Sequence, residues 1–227
     1  MEIRTVGLIT YHCPHLKTEQ VVNRLLKTTV FGFRMYGLPF KARKQRKVLI
    51  QHRPDQTNAV AGQTIAQRHG IPYVICESDR DIDQQCDVYL ILGAGILSAE
   101  CVIGKRIINC HPGIIPASRG LDSFKWAIYE RKPLGISLHY IDEQVDAGEV
   151  ISVEETCVYR TDTLETLARR HYENEIDSIV KFAEYLASPI NPFANIEAGE
   201  ARMRMPLSAE QEVTQTFEQY TERYGQQ

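Results

Sequence analysis

Three residue types that together can run an acyl transfer fall within one stretch of the chain, residues 106–150: RIINCHPGIIPASRGLDSFKWAIYERKPLGISLHYIDEQVDAGEV. Asn109 closes a β-rich run, and His111 follows two residues later. On extended backbone, side chains two apart face the same way, so the amide and the imidazole can converge on one point. Pro112 removes a backbone donor and stiffens the turn, and Pro116 fixes the exit of the loop. Asp146 stands in a second loop, after the next β-rich run, and can reach the same mouth. An amide stabilises an oxyanion, a histidine handles a proton, and a carboxylate orients and charges that histidine. The same residues also serve as a turn cap, a satisfied loop histidine and a solvated turn acid. Spacing alone does not choose between the two readings.

The elements that must position these groups alternate along the chain. Strands are expected at Arg4 to Tyr11, Val48 to Gln51, Pro72 to Cys76, Val88 to Leu92, Arg106 to Asn109 and Gly135 to Ile141, with a β-rich segment from Glu149 to Tyr159. Thr29 to Phe40, with its aromatics and glycines, reads as a strand plus a turn. Helical spacing covers Leu16 to Lys27, Thr57 to His69 (stopped by Gly70), Leu121 to Arg131 and, longest of all, Thr161 to Leu186. The alternation predicts an α/β fold: an open, mostly parallel twisted sheet with helices on both faces. In such sheets ligands bind outside the carboxyl ends of the strands. Pro189 to Pro192 ends this unit, and a final helix is expected from Ala209 to Tyr224 as a short C-terminal extension.

Composition excludes several classes of function. The 227 residues suit one sizeable α/β domain. Lys and Arg number 26 against 29 Asp and Glu, a net charge of −3, which gives no support to a broadly basic nucleic-acid binder. No apolar run approaches the ~18 residues that a membrane helix needs, and the first residues are too interrupted for a secretory signal. The six cysteines form no C-x-x-C pair, so neither a zinc ribbon nor a thioredoxin-type motif is expected, and a cytoplasmic setting with free thiols is. The first strand runs into His12-Cys-Pro-His15 instead of a glycine-rich turn, which disfavours a nicotinamide or P-loop enzyme.

The motif Asn109-x-His111-Pro112, followed by Pro116, Gly120 and Val145-Asp146-x-Gly148, resembles the signature of the 10-formyltetrahydrofolate-dependent formyltransferases. Leu92-Gly-Ala-Gly-Ile-Leu-Ser98 resembles that family's strand end and folate-binding loop. The resemblance covers roughly residues 85–187 and implies a Rossmann-like catalytic domain over 1–189, leaving 190–227 as the extension. It implies that Asn109, His111 and Asp146 are catalytic. It also implies that Gly93, Ala94, Gly95, Ile96 and Leu97, with Ile141, Asp142, Glu143, Gln144 and Val145, hold the pterin. Ile96, Leu97, Ile114 and Ile115 would wall that pocket. The co-substrate implied is 10-formyltetrahydrofolate, with no metal.

Departures from the family pattern bear on the acceptor amine. Glycinamide ribonucleotide transformylases carry a glycine- and serine-rich loop after the first strand, where this chain has Tyr11 to His15. The residues after the core are too few for the tRNA-binding domain of methionyl-tRNA formyltransferases. What remains resembles the sugar N-formyltransferases, whose acceptor is an amino sugar on a nucleotide. That implies a small-molecule partner, neither nucleic acid nor membrane, and is compatible with a homo-oligomer. Glycinamide ribonucleotide or another small amine, hydrolysis of the folate, and a non-catalytic folate binder stay open. On the acceptor side, His12 and His15 can meet a hydroxyl or phosphate or simply fill a turn. The five cations between Lys41 and Lys47 read as a solvated loop ahead of a diphosphate site. Glu173, Asn174 and Glu175 read as a solvated helix face, and Trp126 as core.

Overall fold

The computed structural model describes residues 2–42, 46–141 and 148–226. Seven strands form one sheet: β1 (Thr5–Tyr11), β2 (Gly32–Leu38), β3 (Tyr73–Ile75), β4 (Val88–Ile91), β5 (Ile107–His111), β6 (Gly135–Tyr140) and β7 (Val150–Glu155). Their order across the sheet is β3-β2-β1-β4-β5-β6-β7. The pairs β1/β2, β1/β4, β2/β3 and β4/β5 are parallel, and β6/β7 is antiparallel. The expected mostly parallel α/β sheet is therefore present, and strand order reverses between β1 and β4, where open sheets of this kind bind ligands.

The chain forms two compact units. The first holds residues 1–43, 55–109 and 140–144. β1 lies between β2 and β4, and its Val6, Leu8 and Ile9 are fully buried, which accounts for the unbroken apolar run in its sequence. α1 (Leu16–Thr28) buries Val21, Val22 and Leu25, as its spacing predicts. α2 is shorter than expected, Gly62–His69, and ends at Gly70. α3 (Ala99–Val102) follows β4.

The second unit holds residues 44–54, 110–139 and 145–227. Its helices are α4 (Ser123–Tyr129), α5 (Leu164–Val180), α6 (Phe182–Ala187) and α7 (Leu207–Tyr224). The helix expected from Thr161 to Leu186 is thus two helices that meet at Lys181. Val213, Phe217 and Tyr220 of α7 share one apolar core with Phe124, Ile128, Leu134 and Leu167. Two short parallel pairings, Ala201–Arg202 with Arg119–Gly120 and Gly225–Gln226 with Val158–Tyr159, bind the C-terminal residues to this unit. Trp126 packs against the same core. Its indole N–H donates to the Met203 carbonyl at 2.8 Å, and the Arg202 guanidinium lies 5.0 Å from its ring centre.

Val48 to Gln51 is not a strand, contrary to expectation. A carboxylate takes the place of a strand ladder: Leu49 N donates to Glu210 Oε2 at 2.6 Å, and Ile50 N reaches the same oxygen at 3.4 Å. The apolar run signalled burial, and Ile50 is buried, but the run's amides are satisfied by a side chain. Arg46 of the basic run donates to the Met205 carbonyl, and residues 43–45 lie outside the described residues. The six cysteines are all free thiols. Among the described residues, no helix is long and apolar enough to cross a membrane.

Candidate active site

In the first unit, the segments that follow β1 and β4 meet around Gly93. Gly93 follows the end of β4. A Cβ there would lie 2.8 Å from the Tyr11 ring and 2.9 Å from the His15 ring, so a side chain would force the loop off the aromatic end of β1. Ala94, Leu97 and Ile141 pack against the buried cluster of Tyr36, Tyr89 and Ile107, and Ile141 N donates to the Ile107 carbonyl at 3.0 Å. Asn109, half-buried, is the third residue of β5. Gly95 faces open space. Ile96 is 87% exposed, whereas Ile114 and Ile115 are buried in the second unit. The loop that carries Ile96 leaves the sheet after Gly93, and a run of apolar residues does not reveal which of them turns outward.

The two histidines after β1 are both engaged. His12 Nδ1 is 3.1 Å from the Tyr73 hydroxyl, and His15 Nδ1 is 2.9 Å from the Thr18 hydroxyl. Tyr11 meets the His15 and Phe40 rings edge-on, at centroid distances of 5.5 and 5.1 Å.

In the second unit, β5 runs two residues further than expected and carries His111 as its last residue. Asn109 and His111 thus share one strand and, two apart, one face of it. His111 is 3% exposed. Its Nε2 lies 2.8 Å from the Ser118 carbonyl and 3.1 Å from the Ser123 hydroxyl, and that hydroxyl donates to the Gly120 carbonyl at 3.0 Å. A carbonyl only accepts, so Nε2 carries a proton in either charge state. The second proton of the imidazolium then belongs to Nδ1. The glycine at 120 has a physical cause: its φ is +88°, and a Cβ would fall 2.2 Å from the Arg202 carbonyl oxygen. Ser137 fixes the same loop, accepting from Ile115 N at 2.9 Å and donating to the Gly113 carbonyl at 2.7 Å.

Asp142, Glu143, Gln144, Val145 and Asp146 lie outside the described residues. Among the described residues, no group of three or more His, Cys, Asp and Glu side chains converges as metal ligands would.

Sequence reasoning missed two features of the second unit. Glu175 is 1% exposed, not solvated, and pairs with Arg53, whose guanidinium also lies 5.9 Å from the Tyr172 ring centre. Glu175 also accepts at its backbone carbonyl from Cys110 Sγ, at 3.5 Å. The period of α5 put position 175 near its buried stripe, but its charge read as solvent-facing. The second feature is a cavity of about 510 Å3, lined by residues 49–54 and by residues of α5 and α7. None of the expected site residues lines it.

Two histidines behind the site are held neutral. Burial pushes His171 down to about 4; its Nδ1 is 2.8 Å from the Thr156 hydroxyl and its Nε2 3.3 Å from the Pro112 carbonyl. Burial, with Arg53 and Lys125 nearby, pushes His52 down to about 4. Both rings contact Phe124, at 5.3 and 6.0 Å. In the unfolded chain each would take a proton near its ordinary 6.5. The unfolded state therefore binds more protons between about pH 6.5 and 4, and stability falls as pH falls through that window. Urea midpoints at pH 7 and pH 5 should show this loss, and His171→Gln should flatten the difference. An equal slope in the variant would assign the loss to other groups.

Residues 83–182 match the family model described as formyl transferase. Phosphoribosylglycinamide formyltransferase of Bacillus subtilis is 36% identical over 86 residues, covering 37% of this chain and 43% of that protein. GDP-perosamine N-formyltransferase of Brucella melitensis is 37% identical over 67 residues, covering 29% of this chain and 26% of that protein. The matched part is thus less than half the length of either relative. A crystal structure of a 4-N formyltransferase from Francisella tularensis has the same fold, with a TM-score of 0.62 and 14% identity over 93% of this chain and 86% of that one.

Proposed function

We propose, from the premise that residues 83–182 belong to the formyl transferase family, that the chain moves a formyl group from 10-formyltetrahydrofolate to a primary amine, an amino sugar carried on a nucleotide. The observation that carries this reading is the placing of Asn109 and His111 on one face at the carboxyl end of β5, with His111 Nε2 held on the Ser118 carbonyl.

The steps follow from that geometry. The acceptor amine attacks the formyl carbon and forms a tetrahedral oxyanion. The Asn109 amide and the Nδ1–H of protonated His111 donate to that oxyanion. The Ser118 carbonyl accepts from Nε2 in both charge states, so the ring can gain or lose its Nδ1 proton without turning. Asp146 keeps the imidazolium charged and positions a water that carries the amine's proton to N10. The bond from carbon to N10 then breaks, releasing tetrahydrofolate and the formamide. Gly93 to Leu97 and Ile141 to Val145 hold the pterin through backbone groups.

The test is incubation with 10-formyltetrahydrofolate and a panel of nucleotide-linked amino sugars, with tetrahydrofolate release followed. Release should require an amino-sugar nucleotide. Release without any amine would make the protein a hydrolase, and folate binding without turnover would make it a binder; either overturns the reading. The likeness to the Bacillus subtilis relative favours glycinamide ribonucleotide as a second acceptor to include. The aromatic turn from Tyr11 to His15 speaks against it, since it lacks the small residues that let backbone amides close on a phosphate.

A further inference from the structure

Resting on the reading of the acceptor as a nucleotide-linked amino sugar, we infer that the cavity of the second unit takes the acceptor's nucleoside diphosphate. Its volume of about 510 Å3 falls in the range of small-molecule sites, which run from about 300 to 1,000 Å3. Apolar walls from Leu49, Ile50, Leu164 and Ala168 suit a flat base, and Tyr172 offers a ring at one end. The charged side chains of the lining are Arg53 and Arg169 against Glu165.

The two arginines have different parts. Arg53 is committed to Glu175 and lies over the Tyr172 ring, so it forms a fixed wall. Arg169 is exposed on α5, and among the described residues it makes no ion pair, not even with Glu165 one turn before it. A guanidinium in that position, beside an apolar cleft, suits a diphosphate next to a base.

The cavity also runs along the helix that contacts the strand carrying His111. Residues 164, 165, 168, 169 and 172 of α5 line it. Glu175, one turn further along α5, holds Cys110, the neighbour of His111 in sequence. At ~1.5 Å per residue, the Tyr172 end of the cavity is about 5 Å along the helix from Glu175, and the Leu164 end about 16 Å. A nucleotide-sugar has that kind of extended form, with the amine at one end and the base at the other.

The experiment is calorimetric titration of the full chain, without folate, with UDP, GDP, ADP and dTDP as probes. At least one should bind. Arg169→Glu should weaken that binding more than tenfold, and Thr214→Trp, an exposed α7 position on the cavity's edge, should abolish it by filling the space. Neither should change binding of 10-formyltetrahydrofolate. If no nucleoside diphosphate binds, or if binding ignores both substitutions, the inference is overturned. The function is tested separately. Insensitive binding with formyl transfer to a nucleotide sugar intact would sink the cavity assignment alone. Sensitive binding with no transfer to any nucleotide sugar would keep the cavity and sink the acceptor reading.

Discussion

Asn109→Ala and His111→Ala are each expected to lower kcat by about 10² or more, with little change in affinity for the folate. In the proposed mechanism both groups act on charge that exists only after the amine has attacked, so their loss should weaken the transition state more than the bound substrates. His111 carries a further consequence. Its ring is buried, and its removal strips the Ser118 carbonyl and the Ser123 hydroxyl of a partner. A buried group left without a partner costs about 1–3 kcal/mol, so His111→Ala should also melt earlier. Half-buried Asn109 should show the rate effect with a smaller change in melting. Single-turnover rates at saturating folate, alongside thermal melts, separate the two effects. Near-full turnover in either folded variant would remove that residue from the mechanism.

The shared strand of Asn109 and His111 was legible in the sequence because strand geometry is local. Two residues on extended backbone share a face whatever the rest of the chain does, so Asn109 and His111 could be paired from spacing alone. The central strands were legible for a related reason: β1 is covered on both edges and both faces, and its composition shows it. What escaped reading depends on partners distant in sequence. Val48 to Gln51 has strand-like composition, yet its amides turn to Glu210, some 160 residues away. Glu175 is charged, and its buried carboxylate pairs with Arg53, 122 residues away. The cavity follows from the same cause, since its walls come from a segment that was expected to pair in the sheet.

The same distant contacts set the second large effect. Lys125 is 1% exposed and sits between two carboxylates, 2.7 Å from Glu210 Oε1 and 2.9 Å from Asp122 Oδ2. Glu210 reaches on to the Leu49 and Ile50 amides, and Asp122 accepts from Met205 N at 3.1 Å. One buried ammonium therefore ties α4, the 46–54 segment and α7 together. Lys125→Met removes the cation and leaves two carboxylates with their charge uncompensated, a change that costs about 3–5 kcal/mol in buried pairs. The triple change Lys125→Met, Asp122→Asn, Glu210→Gln should recover much of that loss, because it removes the stranded charge along with its partner. The pH dependence supplies the sign. Burial alone would raise the Glu210 and Asp122 carboxyls, but Lys125 and the backbone amides hold both below the usual carboxylate range. In the native chain their contribution is present above that range and is lost as pH falls through it. In Lys125→Met burial prevails and the carboxyls rise, so acid should relieve the variant before it harms it. Urea unfolding at pH 7 and pH 5 checks this: the deficit of the variant should shrink at the lower pH. A deficit below about 1 kcal/mol at pH 7 would mean that water reaches the pair and screens it as at an exposed surface.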